Sequence, residues 1–126
     1  MILGIGIDLT DVARIRASIA RHGDRFLERF LVEGELAYCR SHADPALPAA
    51  ARWAAKEAVA KAFGTGFGKE LAWREIEIVR EASGAPAILL HGAARDLMAR
   101  RGGSRLHVTL THEKTHAAAF VVIEGE

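Results

Sequence analysis

The opening stretch "MILGIGIDL" limits the fold more than any other. Residues 2–9 alternate as a strand does, with successive side chains on opposite faces. Leu3, Ile5, Ile7 and Leu9 share one face; Ile2, Gly4, Gly6 and Asp8 share the other. The second face is nearly bare until it ends in a carboxylate. Glycines inside a strand mark close approach by another backbone or by a ligand. Asp8 stands at the strand end, where loops and sites gather; its plainest reading is a cap for the next helix.

Thr10 is the better cap for that helix. Val12, Ile15 and Ile19 recur at helical spacing and predict its buried stripe. Arg14 and Arg21 lie two turns apart and share another face. Residues 11–29 carry five arginines (14, 16, 21, 25, 29) against Asp11, Asp24 and Glu28. Such a stretch is either a solvated helix face or a docking surface for an acidic partner. "GELAYCRSH" predicts another short helix. "HADPALP" predicts a turn, with Pro45 and Pro48 as breakers. A long helix follows from Ala49 to Phe63, with Ala55, Val59, Ala62 and Phe63 toward the core. Trp53, Glu57 and Lys61 form an i, i+4, i+8 row on another side. Its many alanines leave a thin face against which neighbours can pack closely.

The remainder is β-rich. "WREIEIV" alternates as a strand, "EASGAPA" turns at Ser83–Gly84, and "AILLH" returns as a hairpin. "GAARDLMARRGG" is a helix closed by Gly102–Gly103. "RLHVTLTH" and "HAAAFVVIE" are two strands joined by "EKT". The order β-α-α-α-β-β-α-β-β predicts an α+β fold with a mostly antiparallel sheet packed with helices.

A chain of 126 residues fits one domain, 1–126, with a real core. The net charge of +1 gives no global case for nucleic-acid binding. The single cysteine, Cys39, excludes an internal disulfide and suits a reducing compartment; its plainest reading is a small buried apolar residue. "MILGIGIDL" lacks the basic flank of a targeting segment and is interrupted by Asp8. No run approaches the roughly 18 apolar residues of a membrane span. The expected location is cytoplasmic.

Asp8 and Glu57 are two carboxylates from distant segments. Mg²⁺ takes one or two protein carboxylates and keeps waters or phosphate oxygens for its other positions. Lys61, a turn beyond Glu57, could touch the same phosphates. Gly64–Thr65–Gly66 offers backbone N–H groups free of obstruction. That loop lies at a helix C-terminus, where the dipole does not favour an anion. Lys61, Lys56 or Arg52 must then supply the attraction. On spacing alone, however, Glu57 and Lys61 are the common stabilising helix pair. His107, His112 and His116 show no metal-ligand spacing, and no nucleotide-binding or nucleophile-elbow fingerprint is present.

Three segments together change this balance. "GIGIDLTDVARI" (4–15), "RWAAKEAVAKAFGTG" (52–66) and "VTLTHEKTHAAAFVVIE" (108–124) resemble the holo-acyl-carrier-protein synthases, small phosphopantetheinyl transferases of fatty-acid biosynthesis. The first is similar to the family's G-x-D with a downstream Arg. The second is similar to its W/F-x-x-K-E-x-x-x-K-x-x-G-x-G signature. The third is similar to its C-terminal strand pair around a Thr/Ser-His step, here Thr111–His112. The likeness covers almost the whole chain. One departure is Trp53, where many members carry Phe.

The resemblance implies transfer of 4′-phosphopantetheine from coenzyme A to a serine of acyl carrier protein, with adenosine 3′,5′-bisphosphate released. It implies Mg²⁺ and a homotrimer with sites between subunits; charge and hydropathy lead us to expect no nucleic-acid or membrane partner. It implies Asp8 and Glu57 as Mg²⁺ ligands and catalytic groups, and Lys61 facing the pyrophosphate. Arg52, Gly64, Thr65, Gly66, Gly84, Pro86, Thr111 and His112 would lie along the coenzyme. Arg14, Arg21 and Arg25 would dock the carrier. Either Glu57 or a water near the metal would take the serine proton, and Lys61 would act mainly by stabilising charge.

Overall fold

A computed structural model describes all residues, 1–126. The chain runs β1 (Ile2–Asp11), α1 (Val12–His22), α2 (Asp24–Phe30), α3 (Glu33–Arg40), α4 (Ala46–Phe63), a 3₁₀ turn (Trp73–Glu75), β2 (Ile76–Arg80), β3 (Pro86–Leu90), α5 (Gly92–Arg100), β4 (Gly103–His112) and β5 (His116–Gly125). Strands β1, β5 and β4 form one antiparallel sheet in that order; β2 and β3 form a separate antiparallel hairpin. The expected α+β class with antiparallel pairing is what the chain adopts.

The bare face of β1 meets α4. A Cβ added to Gly4 would strike the Ala62 carbonyl, and one on Gly6 the Ala58 carbonyl. Glycine on the strand and alanine on the helix therefore let two backbones touch. The strand runs down the helix as the helix runs up, so Asp8, two residues past Gly6, arrives beside the turns that carry Glu57 and Lys61. Ala55, Val59, Ala62 and Phe63 are buried as the spacing predicts. Ala58, Val59 and Phe63 share a core with Val121 and Ile123 of β5, Ile76 and Ile78 of β2, and Leu97 of α5. A second core joins Val12 and Ile15 to Leu27, Phe30, Leu31 and the first turns of α4.

The other face of β1 is turned outward. Ile5, Ile7 and Leu9 are 61–67% exposed, and Phe120 of β5 joins them at 40%. The apolar face of the strand thus covers nothing within the chain.

Four local readings change. Four helices, not three, precede β2, because Gly23 (φ 61°) breaks the arginine-rich segment into α1 and α2. Asp11, not Thr10, caps α1, its side chain accepting from the Ala13 N–H at 3.0 Å. Helix α4 starts at Ala46 rather than Ala49: Pro48 lies in the first turn, where its missing N–H costs no helical bond. Trp73 to Glu75 form a 3₁₀ turn, so the expected strand begins only at Ile76.

Candidate active site

Asp8, Glu57 and Lys61 line one hollow, together with Leu9, Thr10, Asp11, Arg14, Trp53 and His116. The structure brings together the three residues singled out for catalysis. It does not pair them as helix spacing expects. Lys61 Nζ donates to Asp8 Oδ1 at 3.1 Å and to the Ile7 carbonyl at 3.0 Å. The lysine reaches across to the strand, and no ion pair forms between Glu57 and Lys61. Thr10 Oγ1, freed from capping, donates to Asp8 Oδ2 at 2.7 Å. Both Asp8 oxygens are thus held in place.

Glu57 keeps its carboxylate free of protein donors. Burial raises its pKa from the ordinary value, and the neighbouring Asp8 charge raises it further; Lys61 and Arg14 pull it back. Two carboxylates that repel across an open hollow fit a divalent cation. No group of three or more His, Cys, Asp or Glu side chains is placed to hold a metal alone. The remaining ligands would have to come from water or from the oxygens of a substrate, which is the coordination Mg²⁺ accepts.

A second hollow lies along the N-terminal half of α4. Tyr38, His42, Leu47, Pro48, Ala51, Arg52, Arg80, Gly84, Pro86, Leu110 and His112 line it. Arginine and histidine are its ionisable cations, and no carboxylate faces them. Arg52 is 4% exposed. Its guanidinium stacks over Tyr38 at 4.2 Å, with Arg80 at 5.5 Å from the same ring. Arg52 Nη1 donates to the Pro48 carbonyl at 3.2 Å, while Nε is buried without a partner. A buried guanidinium with an unmet donor beside a second arginine suits a phosphate. Arg52, Gly84, Pro86 and His112 of the coenzyme set therefore share one place. The two hollows have no lining residue in common.

Other expected residues lie elsewhere. Gly64 (φ 75°) ends α4 and Gly66 (φ 66°) turns after it. Thr65 Oγ1 donates to the Gly66 carbonyl at 2.8 Å. None of these three lines either polar hollow within one chain. Thr111 borders an apolar hollow with Ile7, Leu110 and Phe120 on the outward face of the sheet. Arg14 belongs to the Asp8–Glu57 hollow itself and lies 5.9 Å over the Trp53 ring. Arg25 lies apart with His22, Phe26 and Arg29 in a basic hollow. Lys56 cannot attract a phosphate: it is fully buried and its ammonium is bonded to Glu35.

Sequence reading missed Tyr38, His42, Arg80 and His116. Tyr38 and His42 stand one helical turn apart, and Arg80 ends the strand before the Gly84 turn; spacing alone could have grouped them. His116 carried no signal. It reaches the first hollow because β5 pairs it with Asp11.

The same architecture occurs in known proteins. Residues 4–121 match the model of the 4′-phosphopantetheinyl transferase superfamily. A holo-[acyl-carrier-protein] synthase of Acidovorax sp. (strain JS42) is 47% identical over 131 residues, covering all of both chains. That of Koribacter versatilis (strain Ellin345) is 44% identical over 98% of this chain and 99% of its own. The Neisseria meningitidis holo-[acyl-carrier-protein] synthase structure superposes with a TM-score of 0.92 at 35% identity, covering 98% of this chain and 99% of that one. The Helicobacter pylori enzyme, solved in complex with coenzyme A, gives 0.85 at 35% identity over 95% and 99%. The chain belongs to the 4′-phosphopantetheinyl transferase superfamily, in its holo-[acyl-carrier-protein] synthase family.

Proposed function

We propose that the chain moves 4′-phosphopantetheine from coenzyme A to a serine hydroxyl of apo acyl carrier protein, releasing adenosine 3′,5′-bisphosphate. The reaction depends on Mg²⁺ and serves fatty-acid biosynthesis in the cytoplasm. The observation that carries the reading is the meeting of Asp8, Glu57 and Lys61 in one hollow.

Asp8 and Glu57 would hold the metal. Bound Mg²⁺ supplies charge neutralisation on the diphosphate and polarises phosphorus for in-line attack. Lys61 keeps a fixed ammonium within reach of the same oxygens, anchored by Asp8 and the Ile7 carbonyl. The leaving phosphate has a second pKa of about 6, so it departs with little need of a proton. Lys61 therefore works by stabilising charge, and preorganised donors of this kind contribute most in a partly desolvated site. Arg52, Arg80 and His112 would take the coenzyme's nucleotide end.

The reading includes a homotrimer with sites between copies. Two features support it: the outward apolar face of Ile5, Ile7, Leu9 and Phe120, and two hollows that share no residue. Exposed apolar patches of this kind mark interaction surfaces. Arg14, Arg21 and Arg25 would receive the acidic carrier, with Arg29 beside Arg25.

The test is a mass measurement. Apo acyl carrier protein, coenzyme A, Mg²⁺ and this protein should yield a carrier heavier by one phosphopantetheine. No mass gain across a range of apo carriers would sink the reading. Sedimentation should give three chains per particle, and Ile7→Asp should break that particle; a wild-type monomer at micromolar concentration counts against the shared site.

A further inference from the structure

We infer that the buried Lys56–Glu35 pair is a positioning device that holds the two hollows in register with each other. The inference rests on the transfer reading above.

Lys56 lies between the two sets of functional residues on α4. One turn before it stands Arg52 of the cationic hollow; the next residue is Glu57. Lys56 Nζ donates to the Phe30 carbonyl at 2.5 Å, to Glu35 Oε1 at 2.7 Å and to the Trp73 carbonyl at 3.2 Å. Glu35 Oε1 also accepts from the Val32 N–H, and Oε2 from the Ile78 N–H, each at 2.8 Å. Lys56 and Glu35 side chains are 0% and 1% exposed. Three hydrogen bonds from Lys56 therefore join α4 to the end of α2, the start of α3 and the 3₁₀ turn; Glu35 carries the link on to β2 through Ile78, and its bond from Val32 fixes it in its own helix.

Each joined piece carries a functional group. Helix α3 presents Tyr38, one turn after Glu35, to the cationic hollow. Strand β2 ends in Arg80 of the same hollow. The 3₁₀ turn presents Trp73, whose ring centroid lies 4.3 Å from that of Trp53 in the Asp8–Glu57 hollow. Rotation matters as much as distance. Successive residues turn by about 100° around a helix. With Lys56 pinned inward, Arg52 faces about 40° to one side, while Glu57 and Lys61 face about 100° and 140° to the other. The pair fixes both directions at once.

An apolar side chain could fill this volume at lower desolvation cost. It would lack direction, and helix α4 with its alanine faces offers few knobs to stop rotation or sliding. Hydrogen bonds to three carbonyl and carboxylate oxygens leave one orientation.

The test uses the full-length protein in the coenzyme A and apo-carrier assay. The variant is Glu35→Gln with Lys56→Met, which removes both charges and leaves an acceptor for a backbone N–H. It should unfold cooperatively on heating, while kcat falls at least about tenfold, as small misplacements do, and KM for coenzyme A rises as Arg52 loses its setting against Tyr38 and Arg80. The near-ultraviolet circular dichroism of the Trp53–Trp73 pair should shrink with it. Leu97→Ala, a core cavity in α5, should lower the melting temperature yet keep kcat and the dichroism. A folded double variant with wild-type kcat overturns the proposal. If the double variant does not fold, Glu35→Asp decides, since it keeps both charges and withdraws the carboxylate by one methylene. A fivefold or greater loss of kcat is then expected, on the order that misplacement gives. Wild-type kcat, or failure to fold here too, assigns the pair to folding alone and overturns the proposal. Absence of transfer by the wild type would instead remove the function reading, leaving the dichroism to judge the lock.

Discussion

Lys56 and Lys61 stand five residues apart on one helix, and each is bound to a carboxylate from a distant segment. Lys56 is sealed from water with Glu35. Lys61 is 53% exposed and Asp8, its partner, 14%. The difference is one of direction around the helix. One lysine faces the packed junction of α2, α3 and β2; the other faces the open end of β1. Burial pulls the Lys56 ammonium down from the usual lysine range, with Glu35 opposing, and three acceptors hold it. In the proposed scheme the same residue type therefore serves geometry in one place and chemistry in the other.

The largest effect expected from separating them is on stability. Lys56→Met alone leaves a buried, unpaired Glu35 and should cost about 3–5 kcal/mol in denaturant unfolding. Adding Glu35→Gln should restore much of that loss. Lys61→Met should cost less than about 1 kcal/mol, because its pair is open to water. Equal losses for the two lysines would erase the contrast. In transfer assays the ranking reverses between them: Lys61→Met should lower kcat by about 10²-fold with the fold intact.

Glu57 sharpens the point with pH. Its folded pKa is raised, so the folded state holds its proton more tightly than the unfolded state does. The stability this contributes is present below the unfolded carboxyl pKa and is lost as pH rises through the folded value. Glu57→Gln should therefore melt roughly 1–3 °C higher than wild type at pH 7 without Mg²⁺, a shift kept small by the partial exposure of the group. The advantage should vanish below about pH 4. Transfer should be abolished. A variant that melts lower at pH 7 would remove the carboxylate repulsion from the site.

Smaller effects concern the arginines and the cysteine. Arg21→Ala or Arg25→Ala should raise the carrier KM by roughly threefold at low salt, and less as salt screens the encounter. Cys39 lies within the field of Arg52, Glu35 and Lys56, and burial pushes its thiol up to about 11. Iodoacetamide at pH 8 should leave it untouched in the native protein. Rapid alkylation would mean that the Lys56 junction opens.

Much of this was legible in advance where a pattern repeats locally. The alternation of β1 with Gly4 and Gly6, the stripe of α4 and the hairpin around Ser83–Gly84 all depend on neighbours in the chain. Each came out as an element of the expected type. The errors fell at boundaries: Gly23 splitting a helix, Pro48 tolerated inside a first turn, and Asp11 capping in place of Thr10. These depend on single backbone angles, which composition and period do not report. Asp8 and Glu57 were singled out by motif; Tyr38 and Arg80 were not, although local spacing ties them to His42 and the Gly84 turn, and His116 was out of reach because only strand pairing brings it beside Asp11.

Local pattern therefore settled which segments form strands and helices, though not where each begins, and which short motifs carry charge in a recurring order. Only the packed chain decided how α4 is rotated. Buried alanines flank the Val59 and Phe63 stripe on both sides, so that stripe alone leaves the exact inward face loosely set. Contacts more than twenty residues away make that choice: glycines of β1 on one side, and Glu35 and the Phe30 carbonyl on the other. That rotation turns Lys56 into a buried anchor and sends Lys61 to Asp8 rather than to Glu57. Helix spacing allowed either partner; the approach of β1 at backbone distance selected one.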